Sequence, residues 1–215
     1  NCSLDEEFDP RLNETFESAC LVAEAIGADL VKFSLDIRRP TPLYGSCMHP
    51  AVMRQLCDVV DQIKEALPEY ERTGIRLAIE NHTETFADEI VWVIEQLHHP
   101  LVGACVDTIN SVSVLENPQY AVERLAPYAF NCHFCDNKLV RDDQGAHFLG
   151  VALGQGDIDC KKTLQTLKDL SPAFFDRITF EVVRPVTMST SSFGRIKRAI
   201  NPAAIAPDRY RSCPI

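Results

Sequence analysis

The sequence predicts an α/β fold built on a parallel sheet. Three observations predict it: helical stretches alternate with short apolar segments, those segments are apolar on both faces, and each ends in a polar or charged residue. Alternation of this kind implies βαβ units, and continuously apolar strands fit a sheet buried on both faces.

Residues 10–26 read as an amphipathic helix, with Leu12, Phe16, Cys20, Ala23 and Ile26 on one face and Gly27 as its stop. A strand follows over 29–35. Pro40, Pro42 and Gly45 mark a long loop over 37–49. A longer helix spans 50–73, opened by Pro50 and closed by Gly74. The next strand is 75–80, then a helix over 86–98, a strand over 101–107, a helix over 118–126 and a strand over 129–136. Residues 137–158 read as a glycine-containing loop, 160–170 as a helix, and 178–183 as the last clear strand. The tail from 187 to 215 is rich in Ser, Pro and Arg, with a helix expected at 193–200. No Gly-x-Gly-x-x-Gly follows a strand and no phosphate loop of the Gly-x-x-x-x-Gly-Lys-Ser/Thr type occurs, so nucleotide-binding folds are unsupported.

Composition narrows the function classes. The 215 residues are 46% hydrophobic and carry a net charge of −10, which fits a globular chain with a sizeable core and excludes a disordered one. No apolar run is long enough to span a bilayer, and so acidic a chain lacks the basic face that nucleic-acid binding requires. A small polar or metal-bound ligand fits better. The nine cysteines, an odd number spread along the chain, do not form a disulfide framework. They read as buried reduced thiols, which favours a reducing, cytoplasmic location. The cluster Cys132-His133-Phe134-Cys135 lacks the second ligand pair of a structural zinc site. Glycosylation-type triplets begin at Asn1, Asn13 and Asn81, a pattern common by chance.

The chemistry concentrates at the strand ends. Glu80, Asp107, His133 and Glu181 close four successive strands, with spacings of 27, 26 and 48 residues that match one βα unit each, the last enlarged by the 137–158 loop. Strand C-termini of parallel βα architectures meet on one face, where sites are built. Taken singly, each carboxylate could cap the next helix and His133 could be a hydrogen-bonded core residue. Four in register point instead to one divalent cation, Mn²⁺, Mg²⁺ or Co²⁺ with Zn²⁺ as a further candidate, held by three carboxylates and an imidazole. Without a cation the carboxylates would repel one another.

The segments Leu77-Ala-Ile-Glu80-Asn81-His82, Val102 to Ser111 around Asp107-Thr108, Leu125 to Asp136 around His133, and Leu153-Gly154-Gln-Gly156-Asp157-Ile158-Asp159 resemble the sugar phosphate isomerase/epimerase family, the xylose isomerase-like TIM barrels. The resemblance covers residues 10–184. It implies a (β/α)8 barrel whose last five βα units are visible. It also implies that Glu80, Asp107, His133 and Glu181 bind the metal and that Glu80 and Glu181 form the acid/base pair. The implied reaction is isomerisation or epimerisation of a sugar or polyol-type keto substrate through a metal-bound enediolate, in carbohydrate metabolism. Loss of the β-hydroxyl from the same enediolate would make it a dehydratase, similar to those acting on inosose or 3-dehydroshikimate. An abasic-site nuclease of this fold needs more His ligands and a basic face, and a degenerate barrel acting as a partner subunit would bind no cation. His82, Asn110, Asp136, Lys138 and Arg184 are the substrate-contact candidates, with Arg141 nearby. Many members carry His where this chain has Asn110, which can hydrogen-bond a hydroxyl but cannot carry a proton near neutral pH. A homo-oligomer is compatible with the sequence.

A barrel of this kind takes about 250 residues. The resemblance therefore places the first three strands, roughly 60–70 residues of chain, ahead of Asn1, which is not a Met. The expected organisation is an N-terminally incomplete barrel domain over 1–186 and a tail over 187–215 packing on it. Such an open barrel exposes sheet edges and is expected to aggregate on its own.

Overall fold

The computed structural model describes residues 15–39, 46–142, 145–172, 175, 177–181 and 186–189. Helix α1 (Phe16–Ile26) leads into strand β1 (Leu30–Phe33), helix α2 (Pro50–Thr73) into β2 (Arg76–Glu80), and α3 (Ala87–Leu97) into β3 (Val102–Asp107). Helix α4 (Pro118–Leu125) precedes β4 (Ala129–Phe134), then come β5 (Asp136–Asp142), β6 (Gly145–Val151), α5 (Cys160–Leu170), β7 (Arg177–Phe180) and β8 (Val186–Ser189).

Local chemistry sets the boundaries. Thr15 caps α1 by accepting the Ser18 N–H at 3.0 Å, and Ser18 returns the bond by accepting from Thr15 N at 2.9 Å. Gly27 and Gly74 end α1 and α2 in the left-handed region at φ 72°, which glycine enters without a Cβ penalty. Pro50 opens α2, and the His49 ring accepts the Ala51 N–H at 3.2 Å. One expectation for α1 fails: Ile26 is 75% exposed, because the buried stripe runs through Phe16, Ala19, Cys20 and Ala23 and the chain leaves the helix at Gly27.

Strands β1-β2-β3-β4-β7 form one parallel sheet in strictly sequential order. There is no switch point of the doubly wound kind, so the strands wrap one way, as half of a barrel with helices outside. The curl is visible at the N-terminal ends. Arg177, opening one edge strand, places both terminal nitrogens 2.7 Å from the carboxylate of Asp29, which precedes the opposite edge strand. Residues alternate between the two faces. Val31, Phe33, Leu77, Ile79, Val106, Cys132 and Phe134 join the helices in the main core, each large side chain contributing about 1.5–3 kcal/mol of burial. Ala78, Cys105 and Phe130 form a small second cluster on the inner face. Gly103 is required beside it, since a Cβ there would lie 2.6 Å from the Tyr128 carbonyl oxygen and 2.7 Å from the Phe130 ring.

The segment expected to be a loop over 137–158 is instead largely a hairpin. Strands β5 and β6 pair antiparallel from Asp136↔Val151 to Asp142↔Gly145, and β8 adds to β6. Its period-two pattern is broken by charge and glycine, which hid it among turn residues. The strand expected over 129–136 is interrupted at Cys135, where the chain leaves the barrel sheet for the hairpin. The helix expected at 193–200 lies outside the described residues. Among those described, Cys20, Cys47, Cys57, Cys105, Cys132, Cys135 and Cys160 are free thiols, and no helix is long and apolar enough to cross a membrane.

Candidate functional site

The C-terminal ends of β2, β3, β4 and β7 bring Glu80, Asp107, His133 and Glu181 to the inner mouth of the sheet. The ladder partners Asp107↔His133 place two of them side by side. His133 Nδ1 lies 2.9 Å from Glu80 Oε1 and 3.4 Å from Glu181 Oε1. One ligand atom from each of Asp107, His133 and Glu181 lies within 4.8 Å of the others, and the same holds for Glu80, Cys105 and His133. The two groups share the imidazole. Glu80, Asp107 and His133 are buried, whereas the Glu181 side chain is 39% exposed.

Asp107 is held from two sides. Its Oδ1 accepts the N–H groups of Ile109 and Asn110 at 2.8 Å each. The Asn81 side chain accepts the Asp107 N–H at 2.7 Å and donates to its carbonyl at 2.9 Å. Asn81 is thus fully buried structural glue between β2 and β3, not an exposed acceptor for glycosylation. Cys132 faces the helices while His133 faces the site, which separates the members of the Cys132–Cys135 cluster.

Sequence reasoning missed Lys32 and Ser34. Lys32 Nζ lies 2.5 Å from Glu80 Oε2, and Ser34 Oγ donates to the same oxygen at 3.1 Å. The available signal was weak: Lys32 alternates with Val31 and Phe33 and so points to the other face of the sheet, where its nearly buried ammonium requires a partner.

The electrostatics follow from these contacts. Burial pushes Glu80 up, but the bond to His133 and the Lys32 ammonium outweigh it and hold the carboxyl at about 2. Asp107 is pushed up to about 6 by burial, against the pull of its two backbone donors and with added repulsion from Glu80. Burial lowers His133, yet Glu80 and then Glu181 raise it above the ordinary value. Three carboxylates grouped in two sets about one imidazole, one carboxylate destabilised in its charged form, suit a hard or borderline divalent cation. On the same inner face, Oδ1 of Asn131 is buried without a hydrogen-bond partner among the described residues.

The other expected contacts separate. His82 Nδ1 pairs with Glu84 Oε2 at 2.8 Å, which raises its pKa against the effect of burial. Asn110 opens a short 3₁₀ turn (Asn110–Val114) beside Asp107. Asp136 is buried in a different role: it accepts the N–H groups of Gly154 and Gly156 at 2.9 Å and of Ile158 at 3.3 Å. That clamp leaves no space at Gly156, where a Cβ would lie 2.1 Å from Asp136 Oδ1. Lys138 and Arg141 are exposed on β5. Arg184 lies outside the described residues.

Comparison with known proteins agrees with this fold. The sequence profile of the family described as "Xylose isomerase-like TIM barrel" matches residues 1–193. A 3-oxo-isoapionate decarboxylase from Pectobacterium atrosepticum is 26% identical over 137 residues, which is 63% of this chain and 49% of that protein. The chain thus spans about half the length of the curated relatives it matches. Among solved structures, a xylose isomerase-like TIM barrel protein from Mycobacterium smegmatis in complex with magnesium aligns with TM-score 0.59 and 17% identity, over 83% of this chain and 62% of that one. A D-allulose 3-epimerase from Methylomonas sp. in complex with D-allulose aligns with TM-score 0.55 and 16% identity, over 77% and 54%.

Proposed function

From the premise that the chain belongs to the xylose isomerase-like TIM-barrel family, we propose that it is part of a divalent-metal-dependent isomerase or epimerase acting on the keto form of a sugar or polyol. The observation that carries this reading is that two groups of ligand atoms, one from Asp107 and Glu181 and one from Glu80 and Cys105, share the His133 imidazole. A bound cation supplies Lewis acidity at the substrate carbonyl and its neighbouring hydroxyl. Asp107 and His133, fixed by Asn81 and by the β3–β4 ladder, act as ligands only. Glu80, at the end of β2, and Glu181, just after β7, reach the imidazole from different sides and are the acid/base pair. One removes the proton beside the carbonyl and the other returns it, to the opposite face of that carbon or to the next carbon. Glu80 enters as the base, its Oε2 held by Lys32 and Ser34. Glu181, more exposed, stands nearer the mouth and can exchange its proton with solvent.

Identity to a decarboxylase favours a second reading, in which the same enolate forms by loss of CO₂ from a keto acid. The test is incubation of Mn²⁺-loaded protein with ketoses and, separately, with keto sugar acids in D₂O. Deuterium beside the carbonyl without loss of water or CO₂, abolished in Glu181→Gln, is the expected result. A new enone absorbance would make the enzyme a dehydratase, and CO₂ release from a keto acid without isomerisation would make it a decarboxylase. Protein that takes up no cation would overturn both readings.

A further inference from the structure

Lys32 is a cation beside the carboxylates of this site. It lies in β1, at an edge of the sheet among the described residues, on the inner face, with a side chain only 11% exposed. An ammonium so placed needs a partner, and the partner it has is Glu80. Glu80 is also a proposed metal ligand, so a cation would claim part of the same negative charge. The charge count then matters. Counted across the two groups that share His133, three carboxylates and a dication leave one negative charge, and Lys32 cancels it. A site left at minus one repels an anionic substrate; a neutral one accepts it. Lys32 and Ser34 also converge on one oxygen, Oε2 of Glu80, so the pair already holds one carboxylate oxygen at the mouth of the site.

We propose that Lys32, with Ser34, is a substrate-recognition element that selects substrates carrying a carboxylate, sugar acids and keto acids rather than neutral sugars. This rests on the metal-site reading above. One ammonium and one hydroxyl suit a monoanion, whereas a phosphate dianion calls for more donors than the pair supplies.

The experiment is calorimetric titration of Mn²⁺-loaded protein with D-gluconate, D-glucitol and D-glucose 6-phosphate, with metal content measured on each sample. Gluconate and glucitol differ in one terminal group, so their affinity ratio isolates the carboxylate. We expect wild-type protein to prefer gluconate. Lys32→Met should weaken gluconate binding about 10-fold or more, the scale of one charge-assisted hydrogen bond, and glucitol binding by clearly less, both compared at equal cation loading. Lys32→Arg should retain most of the preference. A loaded wild type that binds gluconate no better than glucitol, or a preference unmoved by Lys32→Met, overturns this proposal alone. So does a loss in Lys32→Met confined to glucose 6-phosphate. Wild-type protein without stoichiometric cation overturns the metal reading and this proposal with it.

Discussion

Asn81 carries both halves of the backbone polar pair at Asp107, donating to its carbonyl and accepting its N–H, at the point where the β2–β3 ladder ends at Glu80↔Cys105. Replacing it by Ala leaves a buried donor and a buried acceptor unpaired, so Asn81→Ala should cost about 2–4 kcal/mol in urea unfolding. It should also weaken Mn²⁺ uptake about 10–100-fold, because a side chain that orients a ligand acts on affinity through it. A variant destabilised but with unchanged Mn²⁺ affinity would show that Asn81 holds the fold without aiming Asp107. The same residues mark the limit of what was legible. Glu80, Asp107, His133 and Glu181 could be read because strand ends are predictable and their order along the chain is also their order in space. Lys32 could not be ranked, since a lone charge in a strand reads equally as solvent-facing. Asp136 was read as a substrate contact because its actual partners, the N–H groups of Gly154, Gly156 and Ile158, lie about twenty residues on and carry no side-chain signal.

Between elements, the start of α3 is a knot of charge. Arg39 bonds Glu89 and the carbonyl oxygens of Glu84 and Ser46, Glu89 accepts the N–H groups of Phe86 and Met48, and Glu116 accepts the Ala87 N–H with both oxygens. The knot ties the approach to α2 and the turn after β3 to the helix that follows β2. Burial, with help from Asp88 and Glu89 and against the Ala87 N–H, pushes Glu116 up to about 7 from 4.5. The folded state therefore binds this proton more tightly than the unfolded state does. Stability is highest below about pH 4.5, falls as pH rises towards about 7, and is level beyond, for this group alone. At 1.36 kcal/mol per pH unit the ceiling is on the order of 3 kcal/mol. Glu116→Gln, which keeps an acceptor for Ala87, should be more stable than wild type at pH 8 by about 1–2 kcal/mol and no more stable at pH 4.5. Urea melts across that range check it, and a gap that stays constant with pH would remove Glu116 as the source. Helix limits such as Pro50 and Gly74 were legible from local chemistry, whereas this knot joins residues up to about eighty positions apart and had no local signature.

Across the whole sheet, packing is graded from centre to edge. Every residue of β3 is buried, while β7 is mostly exposed, with Phe180 at 69%. Among the described residues β1 and β7 each pair along one side only. The Asp29–Arg177 bridge between these edges adds little, because both partners are about half exposed and solvent screens them. The parallel order was readable from the helix–strand rhythm, but this gradient was not. Val102–Asp107 and Arg177–Phe180 both read as apolar strands, and only the count of neighbours on each side distinguishes them. Amide hydrogen exchange should therefore be slowest in β3, where opening requires global unfolding, and about 100-fold or more faster in β7, which can fray locally. Cation binding should change that ranking in a specific way. Glu181 follows β7 directly, and its N–H donates to the Phe134 carbonyl at 3.3 Å, so a ligand that gathers Glu181 to Asp107 and His133 ties the loose edge to the rigid centre. Saturating Mn²⁺ slows all globally exchanging amides by the same factor through mass action. It should slow β7 by more than that, narrowing the gap between β7 and β3. Uniform slowing of both strands would mean that the cation binds without engaging Glu181, and the acid/base assignment at β7 would fall with it.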